Sequence, residues 1–448
     1  MKSPELQREG AGATSATRFS GRVLTIAMGE GVARGANLLL VVYLARVFGV
    51  RAAGAYALAQ ALSLYLMQGT DFGLRHTGAR LAVQNRGRIA LVVRYVQRRR
   101  IILAAVMSAF GFLYGRWGPV PQDTRPLVSL YALAVFGYGI SVDWLAWGVQ
   151  RFALMSAWRA CVSLLGLGVT LVLVTQLHSG LLAVPFAVGL AYFASGAALW
   201  FLWARRFIAA DAPETGGSGI VSMPGFRATG LLGIALIVQQ AFSSVDTMML
   251  GSLTDSAQTG LYSAAYRLLL LLLAVYSLGI QAIYPQLAAI PFSQRRLHAL
   301  WRVVVPAAAL GIVAAAVMEF VRAPLIELIY GHAFAASAAL AGPLLLAIPL
   351  DFVATILLNV LVAWDHPRRA LISTATAVAG NVLMNCFLIP RFGAMGAAWA
   401  TPLSYAPFLA VLFWQVHRVR EPQQPGKHHT DTAIAENNSQ LTGAGERA

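Results

Sequence analysis

Charge is what this sequence has least of. Asp, Glu, Lys and Arg make up 12% of its 448 residues, about half the quarter that a water-facing globule carries on its surface. That excludes a soluble domain of this length. Cysteine is almost missing: Cys161 and Cys386 each stand alone inside an apolar block, which excludes a disulfide framework and a thiolate metal site and leaves packing as their role. The eight histidines lie mostly at the ends of apolar blocks or between them, without metal-ligand spacing inside a helix. No Gly-x-x-x-x-Gly-Lys-Ser/Thr loop occurs, so the chain is not its own ATPase. The run Gly29-Glu-Gly31-Val-Ala-Arg34 touches the dinucleotide pattern but lies in an apolar stretch with no strand before it. No cofactor and no metal are expected.

What the sequence does have is apolar length. Hydrophobic residues form 58% of the chain and arrive in blocks of about 20, enough for a helix to cross ~30 Å of hydrocarbon. Backbone groups in lipid must bond within their own segment, so the blocks are helices. Twelve spans are expected, near 23–46, 52–74, 100–115, 126–149, 156–176, 181–204, 226–250, 257–284, 300–320, 337–363, 370–390 and 394–416. The fold class is therefore all-α integral membrane. With the N-terminus inside, 26 of the 34 basic residues fall in inner segments and 6 in outer ones, a strong positive-inside asymmetry that puts both termini in the cytoplasm. The net charge of +16 thus marks a membrane orientation and bilayer lipid partners rather than nucleic acid. The polar first 22 residues read as a cytoplasmic N-terminus with no removable signal peptide.

Organisation follows from the breaks between spans. Arg75 to Arg100 holds eight arginines around the apolar Ile89–Val93 run and reads as an amphipathic segment lying on anionic headgroups. Residues 205–225 form the clearest linker, ending in Gly216-Gly217-Ser218-Gly219, and divide a six-helix half at 23–204 from another at 226–416. Residues 417–448 read as a disordered tail. The halves repeat weakly: Gly54-Ala-Tyr56 and Gly260-Leu-Tyr262 match at an offset of 206, and Gly180 to Tyr192 resembles Gly393 to Tyr405. Matched helices start from the same side, so the repeat is parallel, the symmetry of transporters that bind substrate between two halves.

A few charges stand within or at the ends of spans: Glu30, Arg34, Asp71, Asp143, Asp246, Arg267, Glu319 and Asp351. A charge at the bilayer centre costs ~3 kcal/mol, so these face the bundle interior or water. Arg34 and Arg267 lie near the middle of the first and eighth spans, and a guanidinium fork suits phosphate oxygens; both are substrate-binding candidates. Glu30, Asp246 and Asp351 are candidates for ion coupling or charge pairing. Glu30 precedes Arg34 by one helical turn, and Asp246 lies within reach of Arg267. Pro185, Pro349, Pro402 and Pro407 interrupt spans and permit kinks.

Several motifs carry a family likeness. Leu44-Ala-Arg-Val-Phe-Gly49, Gly54-Ala-Tyr56 and Asp71-Phe-Gly73-Leu74 open the chain; Asp246-Thr-Met-Met-Leu-Gly251 precedes the Gly260 motif; Tyr330-Gly331-His-Ala-Phe334 and Asn385-Cys-Phe-Leu-Ile-Pro390-Arg-Phe-Gly393-Ala-Met-Gly396 follow. In order and spacing they resemble the polysaccharide flippases of the multidrug/oligosaccharidyl-lipid/polysaccharide exporter superfamily. The resemblance implies two six-helix bundles around a central cavity in a bacterial inner membrane. It also implies alternating-access transfer of undecaprenyl-diphosphate-linked oligosaccharides for O-antigen or exopolysaccharide, alongside polymerase and export partners. Arginines in the first and eighth helices are a family tendency that Arg34 and Arg267 match. A multidrug/cation antiporter of the same superfamily is the rival, calling for an acidic cavity. A glycosyl polymerase or ligase would need a large outer loop, and the chain has none; a lipid II flippase usually carries two further helices. No enzyme activity is expected.

Overall fold

The computed structural model describes residues 4–210, 226–288 and 296–419, and these are helical with no strand among them. The helices are α1 (Pro4–Asp71), α2 (Leu74–Gln84), α3 (Ile89–Trp117), α4 (Arg125–Ile140), α5 (Asp143–Gly148), α6 (Phe152–Thr175), α7 (Ala183–Leu199), α8 (Arg205–Ala210), α9 (Phe226–Leu253), α10 (Ser256–Ala288), α11 (Arg296–Tyr330), α12 (Ser337–Leu345), α13 (Ala347–Ala363) and α14 (Pro367–His417). Two of them are hairpins. Gly49 (φ 78°) breaks α1 and Gly393 (φ 56°) breaks α14, both in a region of backbone space that glycine enters without a Cβ penalty. Gln60 donates to Asn37 Oδ1 across the first hairpin at 3.4 Å. In the second, the amide of Ala394 just past the break donates to Gln258 Oε1 at 2.9 Å. Two arms each from α1 and α14, the bent pair α12–α13, and α3, α4, α6, α7, α9, α10 and α11 make twelve crossing segments. The fold is an all-α membrane bundle.

Several boundaries differ from the sequence reading. The first helix extends back through the polar N-terminal stretch, since α1 begins at Pro4, while the stretch apolar enough to cross begins at Met28. Linker residues 205–210 continue as α8, while 211–225 and the tail from 420 lie outside the described residues. Pro185 sits in the first turn of α7, where a missing N–H breaks no helical bond. Pro349 follows the bend of 41° between α12 and α13, and Pro402 and Pro407 lie inside α14.

The arginine-rich segment departs most. It is not one surface helix: α2 packs against α5 and α3, and α3 starts at Ile89, so the third helix is longer than expected. Ile89, Val92 and Val93 are buried against Trp144 and Leu145 rather than against lipid headgroups. Arg100 is fully buried, its Nη1 3.2 Å from Asp143 Oδ1 and its Nε 3.6 Å from Asp71 Oδ1, while Arg75 Nη2 stands 3.4 Å from Asp143 Oδ2. Asp143 lies just past the break at Ser141 that splits the fourth span into α4 and α5. Arg100 also donates to the Ser141 carbonyl at 2.9 Å. Four charges from four elements neutralise one another, which is the condition for keeping any of them in a dry interior.

Helices before residue 210 pack on one another, as do those after 226, and α1 meets α9 and α10 between the two sets. At the Gly49 end the sets share one apolar core, from Leu44 and Leu58 on α1 to Leu250, Tyr262 and Phe334. At the opposite end each set has its own: Leu81, Trp144 and Trp158 in one, Leu357, Trp364 and Phe408 in the other. The shared end is closed by backbone. A Cβ at Gly54 would overlap the Ser256 carbonyl, and one at Gly260 would overlap the Val50 carbonyl. Both contacts obey the repeat offset of 206, so each glycine plays the same part for the other set. Arg46 adds a clasp, donating to the Ile329 carbonyl at 2.9 Å and to the Leu328 carbonyl, two acceptors left free at the C-terminal end of α11.

Candidate functional site

The first arm of α1 runs beside α6, and where they face each other they present charge. Arg34 Nε donates to Glu30 Oε1 at 3.1 Å and Arg159 Nη1 donates to Glu30 Oε2 at 2.7 Å. The helical spacing that links Glu30 to Arg34 therefore holds, but the carboxylate is shared. Two guanidiniums against one carboxylate leave an excess positive charge. Each guanidinium spends one of its five N–H donors on Glu30, so both retain a free fork. Their side chains are 62% exposed for Arg34 and 34% for Arg159. Sequence reasoning misses Arg159 because it stands two turns into α6, where it counts as an ordinary basic residue at a membrane boundary.

One turn further along both helices the lining becomes neutral, with a few polar groups set in an apolar wall. Asn37 on α1 and Ser163 on α6 open a recess of about 100 Å³, which also takes in Gln60, Tyr56, Tyr131 and Tyr192. Gln60 Nε2 donates to Tyr56 at 3.1 Å, and Tyr56 and Tyr131, both buried, stand with ring centroids 6.4 Å apart.

Arg267 stands on α10, outside the lining of the recess. It is half-buried, beside the Tyr330 hydroxyl and within electrostatic reach of that of Tyr56. Asp246 is not its partner. Asp246 bonds to Tyr262, and five residues along α10 turn Arg267 roughly 140° away from that face. Instead, Asp246 Oδ1 accepts from Asn385 Nδ2 at 2.5 Å, and Oδ2 accepts from Tyr262 at 3.1 Å and Thr401 at 3.2 Å. Asn385 and Thr401 stand on opposite arms of the α14 hairpin, with Asn381 adding its Oδ1 2.8 Å from Asn385 Nδ2. The buried Asn385 Oδ1 has no hydrogen-bond partner among the described residues. Asp351 is held in the same manner, by Tyr405 at 2.7 Å and Thr355 at 3.3 Å. Neither carboxylate is ion-paired among the described residues, so of the three acidic candidates Glu30 alone is in a charge pair. Glu319, by contrast, pairs with Arg322 at 2.6 Å.

The candidates thus fall into three places. Glu30, Arg34 and Arg159 form a cationic cluster in the first set of helices, Arg267 stands by Tyr330 in the second, and Asp246 and Asp351 are two carboxylates held by neutral donors within the second. No group of three or more His, Cys, Asp or Glu side chains suited to a metal occurs among the described residues.

Known proteins share this architecture. The lipid II flippase MurJ, in an inward closed conformation, superposes with a TM-score of 0.68 at 12% identity, over 88% of this chain and 87% of its own. An inward-facing multidrug resistance MATE family transporter of the MOP superfamily gives 0.63 at 14% identity, over 86% and 93%. A MOP superfamily transporter from Pyrococcus furiosus, described for the reversed polarity of its binding pocket, gives 0.59 at 15% identity, over 88% and 94%. At such identities the likeness is one of fold, shared with flippases and transporters. No curated protein matches by sequence. Residues 22–290, more than half the chain, match the family described as polysaccharide biosynthesis protein, and this membrane bundle belongs to that family.

Proposed function

We propose that the chain is a flippase for polyprenyl-diphosphate-linked oligosaccharides, working by alternating access between its two six-helix halves in a bacterial inner membrane, with both termini cytoplasmic. The observation that carries the proposal is the pair of guanidinium forks at Arg34 and Arg159, held apart by one shared carboxylate. A diphosphate brings two adjacent anionic groups, and two forks with free N–H donors can take one each. A wet, cationic site also replaces the hydration that makes unassisted crossing of a diphosphate slow. Arg267, within electrostatic reach of Tyr56 in the recess, would meet the substrate from the second half. The polyprenyl tail needs no cavity and stays in lipid.

The arrangement of cores supports the moving parts. A core shared at one end and split at the other leaves the Gly54–Gly260 contact as the place where the halves part when the molecule opens outward. Asp246 is a buried carboxylate held by neutral donors, and Asn385 Oδ1, on the same amide group that bonds it, is unpartnered among the described residues. It supplies a site for a coupling proton or cation on the second half, as a multidrug/cation antiporter would also need. The excess positive charge at Arg34 favours an anionic cargo over a cationic drug.

The test is reconstitution. Purified protein in vesicles should move a polyprenyl-diphosphate glycan from the inner to the outer leaflet, detected by lectin capture. Arg34→Ala and Arg159→Ala should each abolish the movement. Transport by both variants at the wild-type rate would end the proposal. With imposed sodium or proton gradients, Asp246→Asn should remove any gradient dependence while leaving the protein folded.

A further inference from the structure

We infer that the recess formed by Asn37, Gln60, Ser163, Tyr56, Tyr131 and Tyr192 is a subsite for the first sugar of the cargo, the ring esterified directly to the diphosphate. The inference rests on the flippase reading and names what lies next to the phosphates. Position comes first. Arg34 and Asn37 are one turn apart on α1, as are Arg159 and Ser163 on α6, so the mouth of the recess lies roughly 5–6 Å along the helix axes from the guanidinium pair. That is comparable to the step from a phosphate to the sugar ring it carries. A diphosphate seated on the two arginines therefore presents its sugar to the recess.

The lining has the chemistry of sugar recognition. It combines amide and hydroxyl groups with aromatic rings and an apolar wall that includes Leu40, Met67 and Val162, and it has no charged side chain. Gln60 Nε2 spends its hydrogens on Tyr56 and on Asn37 Oδ1, which orients the amide. Gln60 Oε1, Asn37 Nδ2 and Ser163 Oγ then make no hydrogen bond to any described residue, so acceptor, donor and hydroxyl all remain for a ligand. Asn37 is exposed at the mouth, while Tyr56 and Tyr131 are buried in the floor. An uncharged wall selects a neutral sugar at this position, because a uronic acid would lose its hydration without gaining a partner. The recess holds about 100 Å³, room for a handful of water-sized groups, so the subsite grips part of the first sugar and leaves the outer sugars to the space between the halves.

The experiment compares two probes on the purified protein in nanodiscs: undecaprenyl diphosphate, and the same lipid carrying one N-acetylhexosamine. The wild type should bind the sugar-bearing lipid at least roughly tenfold tighter, the yield of two or so hydrogen bonds. The double variant Gln60→Leu/Ser163→Ala should bring that ratio near one while keeping wild-type affinity for the bare lipid. Unchanged thermal unfolding would show that the fold survives. Equal affinity of the wild type for both lipids, or an unaltered preference in the folded variant, would overturn the subsite while leaving the diphosphate reading standing. Failure of the wild type to bind either lipid would remove the flippase reading and the subsite together. If the double variant unfolds, Asn37→Leu at the exposed mouth replaces it: a lowered ratio supports the subsite, and an unchanged one overturns it.

Discussion

Replacing Gly54 by alanine should push the two halves apart at the end where they now meet. The added methyl would overlap the Ser256 carbonyl, and the neighbouring atoms are also backbone of Ser256 and Gly260, so no side chain can swing aside. A carbon needs about 3.5 Å from its non-bonded neighbours, and regaining it by rigid motion means separating α1 from α10 by roughly 1–2 Å. Over-packing of this kind costs about 1–3 kcal/mol. If the strain is relieved by opening, the same energy shifts a two-state equilibrium by roughly 5- to 150-fold toward the form open at this end. Opening must also stretch the Arg46 clasp on α11 and the 2.8 Å bond from Ser256 to Asp123, which lowers the shift without cancelling it. Spin labels at Gln122 and His332, both exposed at this end, would report it by pulsed distance measurement, with Cys161 and Cys386 replaced because both are exposed. The distance distribution should gain a longer component in Gly54→Ala and in Gly260→Ala alike, since their contacts are equivalent. A folded, stable Gly54→Ala protein with the wild-type distribution would refute the idea that this backbone contact is the closure.

Three further expectations concern charge. Arg34→Lys should restore only part of the export that Arg34→Ala loses, because a point charge replaces a fork; an exporting Glu30→Gln/Arg34→Gln double variant, measured against membrane abundance, would remove Arg34 as a substrate ligand. Arg100→Ala should leave Asp71 and Asp143 without their shared buried partner and cost about 3–5 kcal/mol, seen as a sharp fall in membrane abundance, while Arg98→Ala, with no ion pair among the described residues, should be close to wild type. Reporters fused after Gly216 and Pro422 should read as cytoplasmic and those after Gln122 and Asp255 as periplasmic; a periplasmic signal at Gly216 would break the proposed orientation and the parallel relation of the halves.

The sequence by itself determined the class of protein, the twelve crossings, the Glu30–Arg34 pair and the repeat that ends as Gly54 against Gly260. Each of these is local or periodic. Hydrocarbon demands a run of apolar residues for every crossing, and helix geometry brings residues four apart onto one face, so both can be counted along the chain. Tertiary structure alone decided the partners. Glu30 meets Arg159 from 129 residues away, Asp246 collects Asn385 and Thr401 from two arms of a hairpin, and Arg100 leaves the membrane surface for a buried network. In an apolar chain almost any helix face can pack against another, so hydrophobic pattern does not specify which helices are neighbours. The site depends on that choice, because a guanidinium fork, a carboxylate and a recess act together only when separate helices carry them to one place.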